Sequence, residues 1–543
     1  MFKIQGKVWA GVLQCLNWHI TCIGSTMMKK CTPYRYKNLL ACLLCVFLFV
    51  AAQAQKITYS EPEREDNRRT NFEIIGKVGN NILVFKGNRG DNAISVYNND
   101  MKLVDRVKLD YMGDRWINVD FVPYSTHTWM IYQFQRKGVV YCMGVKLDGN
   151  AKRLTDPIEL DTTRIGWAAN NKIYTTIFSD DKQKIMVFKV NNRNPKNFQF
   201  TTLLFNADLQ LQYKHRLNIN MEERNDYFTD FLLDNDGDLV FGKFIRKNSS
   251  DYITGLQMIL KKAAADTFAI YDLKTNDRVL DEIKIKVDNT NKRYLFTAFY
   301  YKQKRGNIEG LYTVVWDKVS NKIQREGALA FSDELRKQAK GRDANLRLAF
   351  NDYFINDIII RRDGGYLLIS ESMYTTSRGG SFNRWDYMSW NNPWSSPLDY
   401  YYWSPYSSYY SPWRYPWNRW GSSASRYHAE NIMILSFDSN ENLEWSNVIT
   451  KSQFDDESDA LVSYELMNTG GELHFLFNVY ERRTLLLNDH SIGPDGKVTR
   501  HPTLKNLERG VEFMPRYGKQ ISATSTVLPC LYRNYLTFAK IDF

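Results

Sequence analysis

The chain has 543 residues, with 72 lysines and arginines, 60 aspartates and glutamates, and 7 histidines. With the first 54 residues set aside, 66 basic residues stand against 60 acidic ones, so the net charge is only +6. This weak, evenly spread charge lacks the basic footprint of a nucleic-acid-binding protein and excludes nucleic acid as a partner. No later segment reaches the roughly 18 apolar residues of a membrane-spanning helix, so no helical membrane span is predicted.

Residues 1–54 have the pattern of an export signal. An apolar run at residues 39–52 follows a basic region, and Ala52-Gln53-Ala54 is a small-x-small cleavage motif. The run is about 14 residues long, too short to cross a ~30 Å bilayer as a helix, which favours a cleaved signal over an anchor. We expect translation to start at Met27 or Met28, cleavage before Gln55, and export to the periplasm or the cell surface.

One pattern recurs along the rest of the chain: an apolar strand, a polar turn rich in Asn, Asp and Gly, and a second apolar strand. Clear turns lie at residues 79–81, 234–237, 363–365 and 469–471. Weaker copies are predicted near residues 126, 170, 290 and 518. Asn-Gly and Asp-Gly types of pair supply the positive φ that tight hairpins need. A further apolar run and a charged strand follow, so each unit has the size of one propeller blade.

The predicted fold is an all-β, closed β-propeller at residues 55–543. Eight turns favour eight blades, and seven is the alternative because residues 172–220 are hard to divide. The last unit is one strand short, and residues 56–59 form a strand without a hairpin partner. Pairing the two terminal strands in one blade would close the ring and satisfy both open edges.

Segment 232–240, Leu-Leu-Asp-Asn-Asp-Gly-Asp-Leu-Val, is similar to the turn motif of NHL-type repeats. The whole pattern resembles secreted β-propeller repeat proteins in general. It lacks the repeated Trp-Asp of WD repeats, the paired glycines of kelch repeats and the sialidase Ser-x-Asp-x-Gly-x-Thr-Trp box. The resemblance therefore implies an architecture without a named family, and a fold alone does not supply a function.

Residues 375–428 form an insertion of different composition. Residues 381–420 contain sixteen aromatic residues, with almost no aliphatic residues between them, so an ordinary core is not expected. Flat rings with polar edges suit stacking on sugars or on partner proteins. A self-packed surface loop and contact with a membrane interface are the alternatives. The predicted ligand-binding residues are seven tryptophans: Trp385, Trp390, Trp394, Trp403, Trp413, Trp417 and Trp420.

Catalytic and metal-binding motifs are not recognisable in the sequence. The six histidines after residue 54 show no metal-ligand spacing, and nucleophile-elbow, P-loop and dinucleotide patterns are missing. Asp234, Asp236 and Asp238 alternate as in a calcium loop, but Gly237 comes two positions too early for an EF-hand, which favours a hairpin turn. We therefore predict no catalytic residue, no metal and no cofactor.

The favoured function is that of a non-enzymatic, exported binding or scaffold protein. Its expected ligand is a glycan or a cell-envelope protein held by the aromatic insertion. A propeller-type polysaccharide hydrolase or lyase is the first alternative. An outer-membrane β-barrel is the second, because the chain ends in a partly alternating strand with a terminal aromatic residue, Phe543.

Overall fold

The structure is a computed structural model that describes residues 55–543 apart from one long segment and a set of short gaps. The residues not described within that range are 63–69, 89–90, 114, 167, 170–171, 195, 222–225, 246–252, 254, 276–277, 304–305, 341–344, 378–379, 382–424, 457–458, 482–483, 505–509 and 534. The predicted export signal and all seven predicted tryptophans lie outside the described residues.

The described strands form eight separate antiparallel sheets, which are the eight blades of a β-propeller. The chain begins with β1 (Lys56–Tyr59). Blade 1 contains β2 (Asn71–Val78), β3 (Asn81–Asn88), β4 (Asp91–Tyr97) and β5 (Leu103–Lys108). Blade 2 contains β6 (Trp116–Pro123), β7 (His127–Arg136), β8 (Val139–Asp148) and β9 (Ile158–Arg164). Blade 3 contains β10 (Thr175–Phe178), β11 (Lys184–Asn194), β12 (Asn197–Asn206) and β13 (Leu211–Asn220).

The next three blades continue in chain order. Blade 4 contains β14 (Tyr227–Leu233), β15 (Leu239–Ile245), β16 (Gly255–Lys261) and β17 (Ala269–Leu273). Blade 5 contains β18 (Val279–Asp288), β19 (Arg293–Tyr301), β20 (Ile308–Asp317) and β21 (Lys322–Ala330). Blade 6 contains β22 (Tyr353–Ile360), β23 (Tyr366–Ser377), β24 (Gly380–Ser381), β25 (Ser425–Phe437), β26 (Leu443–Ile449) and β27 (Gln453–Asp455).

The last two blades complete the ring. Blade 7 contains β28 (Tyr464–Asn468), β29 (Leu473–Glu481), β30 (Thr484–Ile492) and β31 (Val498–Arg500). Blade 8 contains β32 (Val511–Phe513), β33 (Lys519–Ser522), β34 (Ser525–Tyr532) and β35 (Tyr535–Asp542), and β1 is its outermost strand.

A short helix, α1 (Asp333–Lys340), joins blade 5 to blade 6. It begins after Ser332, whose Oγ accepts a hydrogen bond from the backbone N–H of Leu335 at 3.2 Å and so caps the helix. Leu335 and Ala339 pack into the apolar cluster between the two blades. Three-residue 3-10 helices lie at Asp110–Met112, Leu346–Leu348 and Pro515–Tyr517.

Burial falls from the middle of a blade to its outer edge, as the sequence pattern predicts. Every residue of β19 is buried, whereas β21, the outermost strand of the same blade, alternates between exposed and half-buried positions. A middle strand is covered on both faces and needs apolar side chains throughout, while an outer strand meets water.

The core is a series of apolar clusters between neighbouring blades, and one of them joins the last blade to the first. Phe72 in β2 packs edge-to-face on Phe538 in β35, with ring centroids 5.7 Å apart, and both are fully buried. Val84, in β3, and Val527, in β34, belong to the same cluster. Burial of each such side chain contributes on the order of 2 kcal/mol, so this seam holds the ring closed.

The terminal strands pair as predicted. β1 runs antiparallel to β35, with Lys56 opposite Asp542 and Tyr59 opposite Ala539. The next residue, Ser60, donates its backbone N–H to the carbonyl of Phe538 at 2.8 Å and accepts a hydrogen bond from the Phe538 N–H on its Oγ at 3.0 Å. The prediction of a ring closed by both termini in an eighth blade is confirmed.

Two of the eight predicted turns lie elsewhere in the structure. The third joins β10 to β11 through residues 179–183, not near residue 170, and needs no glycine. Ser179 Oγ donates to Asp181 at 2.6 Å, and Lys182 adopts the positive φ of 56°. The eighth joins β33 to β34 at residues 522–525, because Lys519 is already part of β33.

Segment 234–238 is a hairpin turn between β14 and β15, as predicted. Its three carboxylates hold a lysine: Lys318 Nζ lies within 3.3 Å of Asp234, Asp236 and Asp238. These ion pairs keep the pKa of Lys318 above its ordinary value despite its burial. Because Lys318 follows β20, these ion pairs connect the turn of blade 4 to blade 5.

Candidate functional site

A set of charged side chains lies on the innermost strands of seven blades and, in blade 3, just before β10. From blade 1 to blade 8 the set consists of Glu73, Asp120, Lys172, Asp230, Lys284, Lys286, Asp357, Glu465 and Lys519. We call this set the hub. Acids and bases from different blades influence one another electrostatically: Glu73 of blade 1 is affected by Lys172 of blade 3 and Lys519 of blade 8.

Desolvation raises the pKa of three hub carboxyls. It raises the pKa of Glu73 to about 7 and that of Glu465 to about 8, with Lys519 acting in the opposite direction on both. Desolvation by neighbouring protein atoms also raises the pKa of Asp357, although the residue as a whole is exposed. A charged carboxylate loses its hydration in such a place, so the protonated form is favoured.

Glu465 is part of a contact between blades 7 and 8. It is 9% exposed and accepts a hydrogen bond from Thr526 of blade 8 at 3.2 Å. A Cβ on Gly518 would lie 2.8 Å from the Glu465 carboxyl carbon, so the absence of a side chain there admits the glutamate. Perturbed carboxyls of this kind also occur in catalytic sites, but Glu465 joins strands of neighbouring blades.

A fully buried ion pair lies within blade 6, beside the segment that leads into blade 7. Lys451 Nζ lies 2.7 Å from Glu371 Oε1, and both side chains are completely buried. Ser463 donates to the same carboxylate at 2.5 Å, and Lys451 donates to Gln453 at 2.6 Å. Removing one partner would leave a buried charge unpaired, at a cost of about 3–5 kcal/mol.

Blade 6 differs from the other blades because its two central strands extend beyond the sheet. β22 pairs with β23 only as far as Tyr353 opposite Ser372, whereas β23 and β25 remain paired to Ser377 opposite Ser425. β27 adds a third strand to this ribbon. The predicted insertion therefore leaves and re-enters the propeller through a paired ribbon, and residues 375–377 and 425–428 belong to its strands.

Four aromatic rings lie next to one another in a line, beside the strands from which the insertion starts. We call them the aromatic row. Tyr374 stacks on His428 with centroids 4.5 Å apart and planes 9° apart. His428 is 6.4 Å from Phe454, which lies 6.3 Å from Tyr480 with planes 22° apart. Phe454 is 46% exposed and Tyr480 58% exposed. The row therefore presents two nearly parallel, accessible rings to solvent.

Polar groups fix the row and surround its exposed end. Tyr374 donates its hydroxyl to Glu430 at 2.8 Å, which orients the first ring. Arg426 lies over Phe454, 4.5 Å from the ring centroid, and donates to both oxygens of Asp456 at 2.6 and 3.1 Å. That ion pair lowers the pKa of Asp456.

The ionisable rings of the row are neutral near pH 7. Burial lowers the pKa of His428, and the nearby Arg426 acts in the same direction. Burial raises the pKa of Tyr480, with further contributions from Glu512, Asp455 and Asp456. The exposed end of the row is therefore an apolar surface with an acidic border.

The row was not foreseen from the sequence. Its members come from β23, β25, β27 and β29, and residues 374 and 480 are 106 positions apart. The pairing of Tyr374 with His428 and of His428 with Phe454 brings three of them together. The predicted aromatic insertion starts from the same ribbon.

Comparisons with known proteins give no family for this chain. No family model matches it, and no curated protein matches it. Among solved structures, it is similar to an ulvan lyase of polysaccharide lyase family PL25, with 10% identity and a TM-score of 0.35 over 77% of this chain and 90% of the other. The propeller domain of Nup133 from Vanderwaltozyma polyspora has 9% identity and a TM-score of 0.35 over 78% and 99% of the two chains.

A prolyl endopeptidase is similar at 10% identity and a TM-score of 0.35, over 77% of this chain and 45% of the other. These likenesses concern the fold alone, and the assignment of a β-propeller rests on the eight sheets of this chain. Of the residues that the structure describes, none form a helix with the length and apolar character needed to cross a membrane.

Proposed function

We propose that the protein is an exported, non-enzymatic binding protein whose propeller holds the aromatic row and the adjoining insertion towards a neutral glycan. The observation that carries this proposal is the aromatic row itself: two exposed, nearly parallel rings at the foot of an aromatic-rich insertion. Exposed aromatic surface bordered by polar groups is typical of binding sites. The export pattern of residues 1–54 also supports the proposal, because it predicts a location in the periplasm or at the cell surface, where polysaccharides are abundant.

The rings suit sugars because their faces are flat, apolar and already held in place. Tyrosine and phenylalanine lose little side-chain entropy on binding, so their contact area is used efficiently. The Tyr480 hydroxyl, Arg426 and Asp456 lie at the border, where they can form hydrogen bonds to sugar hydroxyls. Because Asp455, Asp456 and Glu512 surround Tyr480, the surface favours a neutral glycan over a sulfated or uronic-acid polymer.

The non-enzymatic part of the proposal is supported by the burial of the two hub glutamates. Glycoside hydrolysis uses two carboxyls that flank an accessible bond. Glu73 and Glu465 have raised pKa values, but they are 7% and 9% exposed, too little to contact a polymer. The hydrogen bond from Thr526 of blade 8 accounts for the position of Glu465.

The proposal is tested by binding of untagged protein comprising residues 55–543 to an array of neutral and acidic polysaccharides. We expect retention by a neutral polymer. Phe454→Ala combined with Tyr480→Ala should weaken binding at least tenfold, since loss of two stacking rings removes about 1.4 kcal/mol or more. Tyr213→Ala is the matched control, because Tyr213 is 41% exposed on the outer strand of blade 3, outside the row.

Three results would contradict the proposal. Binding to acidic polymers alone would overturn the assignment of a neutral ligand. Equal loss of binding in the Tyr213 variant would remove the row as the site. Release of new reducing ends or unsaturated sugars from a bound polymer would favour the hydrolase or lyase alternative.

A further inference from the structure

Blade 7 gathers three metal-ligating side chains on one face of its sheet. His474 in β29 lies opposite Ser491 in β30, and Asp489 is two residues before Ser491 on the same face. His501 follows β31 and donates its backbone N–H to the carbonyl of Asp489 at 3.0 Å. Strand pairing thus aligns His474, Asp489 and His501, although their spacing in the sequence is that of no known metal motif.

The ligating atoms of this cluster converge. His474 Nδ1 lies 3.0 Å from Asp489 Oδ2, and His501 Nε2 lies 3.9 Å from the same oxygen. The three ligating atoms all lie within 4.8 Å of one another. A tetrahedral ion with bonds of about 2.0–2.1 Å separates its ligands by about 3.3 Å, so side-chain movements of up to about 1.5 Å would complete the coordination.

The surroundings of the cluster suit a bound cation. The Asp489 side chain is 0% exposed and that of His474 9% exposed, while that of His501 is 28% exposed and leaves a route from solvent. A buried carboxylate is stabilised by a cation held close to it. Ser491 Oγ lies 2.8 Å from His501 Nε2 and adds an oxygen at the border of the same space.

A catalytic relay is a poorer description of this geometry. A Ser-His-Asp relay places serine and aspartate on opposite nitrogens of the imidazole ring. Here the same nitrogen, Nε2 of His501, faces both Ser491 and Asp489. Nε2 of His501 therefore faces the same space as Ser491 and Asp489, and the ring does not connect the two side chains through its two nitrogens.

We propose that His474, Asp489 and His501 bind one divalent transition-metal ion of the zinc class. Two imidazole nitrogens and one carboxylate oxygen favour zinc, cobalt or iron(II) over calcium and magnesium, which prefer oxygen ligands throughout. Ser491 or a water molecule completes the coordination. The ion links β29, β30 and the segment after β31, so its role is to stabilise the outer part of blade 7.

The test uses untagged protein comprising residues 55–543, stripped of metal with a chelator. Calorimetric titration with Zn²⁺ should show one equivalent bound, and Co²⁺ should give the visible absorption of a nitrogen-ligated ion. His501→Gln removes the most exposed ligand and should weaken Zn²⁺ binding at least tenfold. His215→Gln is the matched control, because His215 lies on β13 of blade 3, outside the cluster.

Absence of stoichiometric Zn²⁺ binding by the wild type, or equal binding by His501→Gln, would overturn the proposal and leave His474 and Asp489 as a hydrogen-bonded pair. If His501→Gln does not fold, the metal site is tested on the wild type alone. A melting temperature of the metal-free wild type that rises with Zn²⁺ but not with Mg²⁺ supports the site, whereas an equal effect of the two ions contradicts it.

Discussion

Individual residues show why some chemistry of this chain was predictable and some was not. The alternating carboxylates of segment 234–238 were correctly assigned to a hairpin turn, because Gly237 has the wrong spacing for a calcium loop. Their cation, Lys318, lies 80 residues further along the chain and could not be anticipated. A turn is determined by consecutive residues and can be predicted from them. An ion pair between blades forms only after distant strands have come together in the ring.

The hub makes the stability of the protein depend on pH. Burial raises the pKa of Glu73 from 4.5 to about 7 and that of Glu465 from 4.5 to about 8. The folded state therefore binds more protons than the unfolded state between these values, and the free energy of unfolding falls as pH rises through this window. At high pH the charged carboxylate costs about 3 kcal/mol at Glu73 and about 5 kcal/mol at Glu465.

Substituting these glutamates by glutamine should remove part of that dependence. We expect Glu73→Gln and Glu465→Gln to match the wild type near pH 4.5 and to be more stable than the wild type near pH 8.5, in urea unfolding measured at both pH values. Glu472→Gln, at an exposed turn of blade 7, is the control. If the difference in unfolding free energy between the wild type and each hub variant is the same at both pH values, the hub glutamates are not buried, protonated carboxyls.

Hairpins were predicted well where the turn contains a glycine with positive φ, as at Gly79, Gly237, Gly364 and Gly470. Six of the eight inner hairpins lie where the sequence placed them. The third was misplaced because Ser179 and Asp181 stabilise a turn in which Lys182 adopts the positive φ. The eighth was misplaced because Gly518 precedes β33 instead of ending it. Side-chain-stabilised turns without glycine leave a weak trace in the sequence.

The terminal strand β1 should contribute to stability through its pairing with β35. Deleting residues 55–59 exposes the edge of blade 8, so we expect a lower melting temperature and a tendency to aggregate. Ser60→Ala is the graded comparison: it removes the Oγ hydrogen bonds to Thr537 and Phe538 but keeps β1, and should cost about 1 kcal/mol. A deletion variant with the melting curve of the wild type would show that the seam between Phe72 and Phe538 closes the ring unaided.

For the whole molecule, the architecture followed from the repeat, but the sites did not. Eight turns and two unpaired terminal strands were enough to predict a closed eight-bladed ring. The aromatic row and the cluster of His474, Asp489 and His501 each depend on strands that meet only after folding. Sequence composition identified an aromatic region, yet the register of β25 with β27 decides which described rings are exposed together.

We expect the propeller to fold without the aromatic insertion, and the insertion to serve glycan binding. β23 and β25 stay paired to Ser377 and Ser425, so a short Gly-Ser turn can replace residues 378–424 at little entropic cost. A milder variant changes Trp403, Trp413 and Trp417 to Ala. Melting temperature and glycan binding are measured on the same samples of both variants and of the wild type. We expect weaker binding with a melting temperature within a few degrees of the wild type, whereas a variant that unfolds or cannot be produced would show that the insertion is part of the core.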